Sequence, residues 1–397
     1  MEVLKQKIKD LSKSIYKEVV GHRRHLHENP ELSYEEVETG KYIAAQLKML
    51  GIEHEHGVAE NGVVALIKGK NPDKKVIALR ADIDALPIFE INDVPYKSKK
   101  DGVMHACGHD VHTSSLLGTA KILESIKDSF EGTVKLIFQP AEEKMPGGAS
   151  IMIKEGVLEN PRPTAIFGQH VHPPLAVGKV GMKPGMYMAS ADELYISVFG
   201  KGGHGALPQD CVDPITISAQ IITALQQVVS RQVNPTSPTV LTIGKIWSVG
   251  GSTNVITNEV KMKGTFRSMN EKSRFETHKK MKKMAEGIAE AMGGSCEFRI
   301  VIGYPFLKND EALTIKVKSR AIEYLGEENV VDLPIRMTAE DFSYYSQEMP
   351  AVFYRLGTGN EERGITSPVH TNTFDVDESS MAISTGLMAW LAVRELM

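Results

Sequence analysis

Three cysteines in 397 residues are too few, and an odd number, for a disulfide framework; Cys107, Cys211 and Cys296 lie far apart, which fits a reducing compartment. No stretch approaches the roughly 18 unbroken apolar residues of a membrane span. The N-terminus, MEVLKQKIKDLSKSIYKEVV, breaks its apolar residues with charges and forms no signal-peptide core, so the expected location is cytoplasmic. Neither sign of charge dominates: 46 basic against 50 acidic residues give a net charge of −4, with no electrostatic pull toward nucleic acid or an anionic membrane surface. No G-x-G-x-x-G follows the first strand, and GKGGHGALPQD has neither the lysine nor the glycine spacing of a nucleotide loop, which sets aside a nucleotide-dependent oxidoreductase. Internal repeats and low-complexity tracts are also missing.

What remains is an ordinary globular composition, 42% hydrophobic and 24% charged, in a chain long enough for two or three domains. Leu4, Ile8, Leu11, Ile15 and Val19 stand at helical spacing and predict one helix over 2–20. Ser33 with Glu36 reads as a capping box for a second helix, carried by Ile43, Leu47 and Leu50 and ended by Gly51. Strand and helix then alternate: strands at 74–80, 133–139 and 164–168, with a helix near 110–126. Short, almost wholly apolar strands of this kind belong to an α/β sheet, mostly parallel, with helices on both faces. After residue 304 the alternation resumes, with a strand at 351–357 and a last helix near 378–396.

Between these parts lies a segment of different texture. ELYISVFG alternates strictly, and the order from there to CEFRIVIG is βαββαβ with half-polar strands, which predicts an inserted ferredoxin-like domain over 189–304. The larger domain is thereby split into 1–188 and 305–397. ELYISVF is read as compatible with an edge strand that pairs between subunits.

In open α/β sheets ligands gather outside the carboxyl ends of the strands. The loops there carry Asp82 and Asp84, the run MHACGHDVH with His105, Cys107, His109 and His112, the pair Glu142 and Glu143, then His170 and His172, and late in the chain His370. Each of these alone reads as ordinary: an inert core thiol, a solvated Glu-Glu turn, a hydrogen-bonded histidine. Their joint placement at one rim is the pattern of a metal site, in which one of two neighbouring carboxylates can bind metal while the other takes a proton from water. For His105 and His112, supporting or capping roles are favoured over ligation. A helix start near Cys107 would favour its thiolate. In the inserted domain His204 and Asn254 occupy glycine-rich loops, and Arg267 lies on the face opposite Val260, Met262 and Phe266, suited to forked binding of a carboxylate or to plain surface exposure.

Taken together, HRRHLHENPELSYEE, ALRADIDALP, MHACGHDVH, FQPAEE, GQHVHP, GKGGHGALP, MTAEDFSYY and SPVHTNTF resemble the N-acyl-amino-acid amidohydrolases, a family that includes hippurate hydrolase, related carboxypeptidases and plant auxin-conjugate hydrolases. The resemblance covers about residues 20–390. It implies a zinc-peptidase-like catalytic domain interrupted by a lid that serves in dimerisation. It further implies two divalent metals held by Cys107, His109, Glu143, His170 and His370, with Glu142 as general base and Asp82 as an orienting acid. In the wider superfamily a metal-binding histidine stands two residues before that aspartate. Here Arg80 occupies the position, and the resemblance assigns the vacant coordination to Cys107 and His109. Thiolate suits zinc, while imidazole and carboxylate also accept manganese, cobalt or nickel.

The expected reaction is hydrolysis of the amide bond of an N-acyl-L-amino acid, with His204, from the lid of a second subunit, and the metals stabilising the oxyanion, and with Asn254 and Arg267 holding the substrate carboxylate. A carboxypeptidase or dipeptidase acting on short peptides is the neighbouring alternative; it is less favoured because no acidic cluster dedicated to an ammonium group is evident in the sequence. A catalytically silent carboxylate-binding protein is the remote one. The expected assembly is a homodimer through the lid, or a higher homo-oligomer, with no nucleic-acid or membrane partner.

Overall fold

The computed structural model describes all 397 residues. Two compact units divide the chain: Met1–Gly185 with Lys308–Pro334 and Tyr344–Met397, and Met186–Leu307 with Ile335–Ser343. The 335–343 stretch, left with the larger domain by sequence reasoning, groups with the second unit because backbone hydrogen bonds tie it there. Arg336 donates to Tyr187, and Ala189 donates to the Arg336 and Thr338 carbonyls.

The first unit is built on an eight-stranded sheet in the order 53–58, 62–68, 133–139, 76–82, 166–176, 351–359, 180–182, 330–332. Its four middle strands, Thr133–Gln139, Val76–Asp82, Ile166–Ala176 and Ala351–Gly359, run parallel, and antiparallel pairing begins on either side of them. Ile77, Leu79, Val134, Leu136, Phe138, Phe167, Val352 and Tyr354 join one large apolar cluster. The alternating residues Ala78, Ile137, Ile166 and Phe353 are buried too, outside that cluster. Burial on both faces explains why these strands read as continuous apolar runs. Helices His109–Ser125 and Ser380–Leu396 are packed against each other and the sheet, close to where the sequence places them.

Two expectations about the N-terminal helices fail. The first helix is not one helix over 2–20 but two, Glu2–Ser14 and Tyr16–Glu28, broken at Ile15. A one-residue break leaves the apolar spacing intact, so periodicity cannot register it. The second helix then runs on through a polar stretch because Arg23 and His27 are buried on its inner face. Ser33 and Glu36 do not form a capping box: both side chains are engaged elsewhere, and the Thr39 N–H in the first turn of helix Val37–Met49 is accepted instead by Glu31 Oε2 at 2.8 Å.

In the second unit Asp192–Phe199, Thr239–Ser248, Glu259–Ser268 and Ser295–Ile302 form an antiparallel sheet, with helices Pro214–Gln227 and Glu271–Ala291 supplying the βαββαβ order. The spatial order is 239–248, 259–268, 192–199, 295–302, the ferredoxin-like arrangement. ELYISVF is therefore not an edge: 192–199 is paired on both sides. Its alternation arises because Leu194, Ile196 and Val198 join the helix-packed core while the other face stays partly exposed. The edges are 239–248 and 295–302.

Arg23 pins helix 16–28 to helix 109–125, with Nε 2.8 Å from Asp110 Oδ2 and Nη2 2.8 Å from Asp375 Oδ1, and its side chain is fully enclosed. Removing one partner of such a pair leaves an uncompensated buried charge. Arg23→Ala is expected to destabilise the protein by about 3–5 kcal/mol, measurable by urea unfolding.

Candidate metal centre

The carboxyl ends of the parallel strands and the start of helix 109–125 bring the polar loops of the first unit together. Cys107 precedes the helix, and Gly108 is its N-cap in the left-handed region at φ 81°. A side chain at Gly108 would place its Cβ 2.5 Å from Val171 Cγ2, so only glycine lets the 107–109 segment lie against strand 166–176. Cys107 Sγ is 3.3 Å from His170 Nε2 and 3.3 Å from His370 Nε2. His370 Nε2 also lies 3.2 Å from Glu143 Oε1, and His109 Nε2 lies 3.9 Å from the same oxygen.

Two sets of donors overlap here: Cys107, His109 and His170 form one, and Cys107, Glu143 and His370 form another, with Glu142 grouped beside His109 and Glu143. The tautomers are set by their surroundings. His170 donates Nδ1–H to the Val171 carbonyl at 2.7 Å, and His109 pairs its Nδ1 with Asp84 Oδ1 at 3.0 Å, so both present Nε2 inward. His109 Nε2 is buried without a hydrogen-bond partner. An orphaned imidazole nitrogen beside a thiol, two further imidazoles and a carboxylate fits a divalent transition ion, and second-site hydrogen bonds of this kind fix ligand orientation.

His112 accepts the Val171 N–H on Nε2 at 2.9 Å and turns Nδ1–H to Asp82 Oδ1 at 2.5 Å. Both nitrogens are thus engaged within the protein, and His112 also stands with Asp82 and His109 in a group of converging donor atoms. Asp82 is also paired at 2.6 Å with Arg80, whose Nε donates to Gln139 Oε1 at 2.8 Å. Arg80 thus fills the position of the missing histidine with a fixed cation. Both nitrogens of His105 lack a partner, and burial holds its pKa down at about 4.

Burial opposes charge throughout this cluster. For Asp82 burial pushes upward, but His109, His112 and Arg80 hold the carboxyl well below its ordinary range. Burial pushes the Cys107 thiol well up, with Glu143, Glu142 and Asp82 adding to it, so proximity to a helix start does not make it a thiolate by itself. A bound cation reverses that balance, since a coordinating thiol is deprotonated.

In the second unit His204 sits on the short strand Gly203–His204, paired with Val255, and the Gly205 N–H donates to the Asn254 carbonyl at 2.8 Å. His204 and Asn254 are therefore neighbours, both exposed. Arg267 lies on strand 259–268, half-buried, and its guanidinium makes no hydrogen bond or ion pair; burial lowers its pKa and Asp192 partly offsets that. The structure brings Cys107, His109, Glu142, Glu143, His170 and His370 together, as expected from the sequence, but that reading gave no part to Asp84, Ser33 or Glu36. For Asp84 the signal was its two-residue spacing from Asp82 on an extended segment; for the other two, the capping pattern concealed it.

The family model for peptidase family M20/M25/M40 matches residues 78–393, and the chain belongs to this family. It is 40% identical over 394 residues to thermostable carboxypeptidase 2 of Saccharolobus solfataricus, covering 98% of each chain. It is 40% identical over 382 residues to an N-acetylcysteine deacetylase of Bacillus subtilis, covering 96% of this chain and 97% of the relative. A crystal structure of a dinuclear metal-binding peptidase of the same family from Bacillus subtilis superimposes with a TM-score of 0.83 at 38% identity, covering 97% of this chain and 99% of that one. The protein is a metal-dependent amidohydrolase.

Gly108→Ala should force the 107–109 segment off strand 166–176. The expected outcome is fewer than two bound ions per chain by elemental analysis, together with a lowered melting temperature.

Proposed function

We propose that this enzyme hydrolyses the amide bond of N-acyl-L-amino acids, with Cys107, His109, Glu143, His170 and His370 as the metal ligands and Glu142 as the general base. The observation that carries the reading is the buried His109 Nε2, without a partner, facing a thiol and two adjacent carboxylates of which only one is needed as a ligand. When bound, the metal pair polarises the scissile carbonyl and lowers the pKa of the attacking water. Glu142, buried beside His109 and Glu143, takes the water's proton and returns it to the leaving nitrogen. Asp82 fixes His112 and stands 3.7 Å from His109 Nε2, holding the imidazole side of the site in register.

His204 donates to the developing oxyanion, and Asn254 and Arg267 hold the substrate carboxylate. Support for Arg267 is its half-buried, unpaired guanidinium, which lacks an anion. Zinc or manganese are the ions of choice, with cobalt or nickel as substitutes; the thiol favours zinc and the imidazole-carboxylate remainder admits the others. We assign the second unit the roles of lid and of homodimer contact, since edge strand 239–248 exposes Val240 and Ile246 with ladder groups unpaired on one side. Three free cysteines fit the cytoplasm, and no helix is long and apolar enough to cross a membrane. Cleavage of short peptides is the second reading, favoured by the carboxypeptidase relative.

Chelated protein reloaded singly with zinc, manganese, cobalt or nickel and offered N-acetyl, N-benzoyl and dipeptide substrates decides between them. Acyl substrates are expected to be preferred, and activity is expected to vanish on chelation. A preference for free dipeptides would move the assignment to the second reading. Glu142→Gln should keep both ions and lose about 100- to 10,000-fold in kcat; near-full turnover would remove Glu142 as the base.

A further inference from the structure

The segment 33–36 lies between two helices, and neither its Ser33 nor its Glu36 side chain caps one. Instead its polar side chains reach the turn that carries Glu142 and Glu143. Glu36 is fully buried, its Oε1 accepting the Ala141 N–H at 2.7 Å and its Oε2 accepting from Asn61 Nδ2 at 3.2 Å. Ser33 donates its hydroxyl to Asp84 Oδ2 at 2.6 Å, and that same oxygen accepts the Glu143 N–H at 3.0 Å. The backbone N–H groups flanking Glu142 are thus each held by a buried carboxylate, one from segment 33–36 and one from the loop after strand 76–82.

The turn needs such a hold. Ala141 is a non-glycine residue at φ 52°, in the left-handed region, and persists there only where its surroundings over-determine it. The Gly148 N–H donates to the Ala141 carbonyl at 2.9 Å, so both backbone polar groups of that residue are fixed. Burial, with Asp84 nearby, pushes Glu36 up to about 7, an unfavourable setting for a side chain whose only task is packing. Neither Glu36 nor Asp84 belongs to the donor sets.

We propose that Glu36 and Asp84 are positioning residues for amide hydrolysis: they grip the backbone on both sides of Glu142 and hold the 141–143 turn in the conformation that sets Glu142 and Glu143 beside His109. This inference rests on Glu142 being the base. Small displacements of a reacting group cost about 100-fold in rate, so the clamp acts on turnover more than on substrate binding.

A double-mutant cycle tests it. In Glu36→Gln one carboxylate oxygen becomes an NH2 group that faces N–H donors, which loosens the grip at nearly constant volume. Elemental analysis should still find two ions per chain, with KM changed less than about threefold and kcat lowered about 10- to 100-fold. In a Glu142→Gln background the same change should lower the residual rate less than about twofold, because residues that act as a unit are not additive. An equal loss in both backgrounds, or an unchanged kcat, overturns the clamp. Full turnover of Glu142→Gln alone marks the base assignment as the failed step and overturns the clamp with it. Should Glu36→Gln not fold, Ser33→Ala loosens the other side; about threefold loss of kcat with the same non-additivity is expected, and none overturns the proposal.

Discussion

Gathering a thiol, imidazoles and carboxylates inside the dry rim of a sheet is unfavourable unless every spare proton and lone pair has a fixed partner. Asp84 meets that constraint most fully, accepting from His109, Ser33 and the Glu143 backbone at once. Asp82 does the same with His112 and Arg80. The parallel strands make such economy feasible, because their carboxyl ends present consecutive loops at one edge, where residues far apart in sequence share hydrogen-bond partners.

The two units solve the burial of charge in different ways. In the first, charged groups collect near the site and leave imidazole nitrogens of His105 and His109 unsatisfied. In the second, Asp192 is enclosed by Arg274 through two bonds and by His278 Nε2 at 2.8 Å, so its charge is fully matched. A matched network fixes the join between strand 192–199 and helix 271–291; an unmatched one invites a ligand. Arg267, on the neighbouring strand, falls outside that closed network, which is why its charge is available.

Much of this was legible from the residues. The alternation of strands and helices, the inserted βαββαβ order and the rim loops bearing Cys107, His109, Glu142, Glu143, His170 and His370 follow from patterns that burial on both faces and strand-end chemistry impose. The remainder was hidden for physical reasons. The break at Ile15 preserves apolar spacing. The centrality of 192–199 is invisible because alternation reports one covered face, not the number of neighbours along the sheet. Ser33 and Glu36 satisfy a local pattern that their distant partners Asp84 and Ala141 override, and no spacing rule contains those partners.

One sulfur belongs to both donor groups. Any oxidation of Cys107 to a sulfenic or sulfinic acid therefore removes a donor from both at once, and irreversibly beyond the first step. With a thiol only 6% exposed and raised far from its thiolate form, the metal-free chain is shielded from that lesion by burial alone. The centre thus has a single point of chemical failure, and its protection lies in the burial of that sulfur.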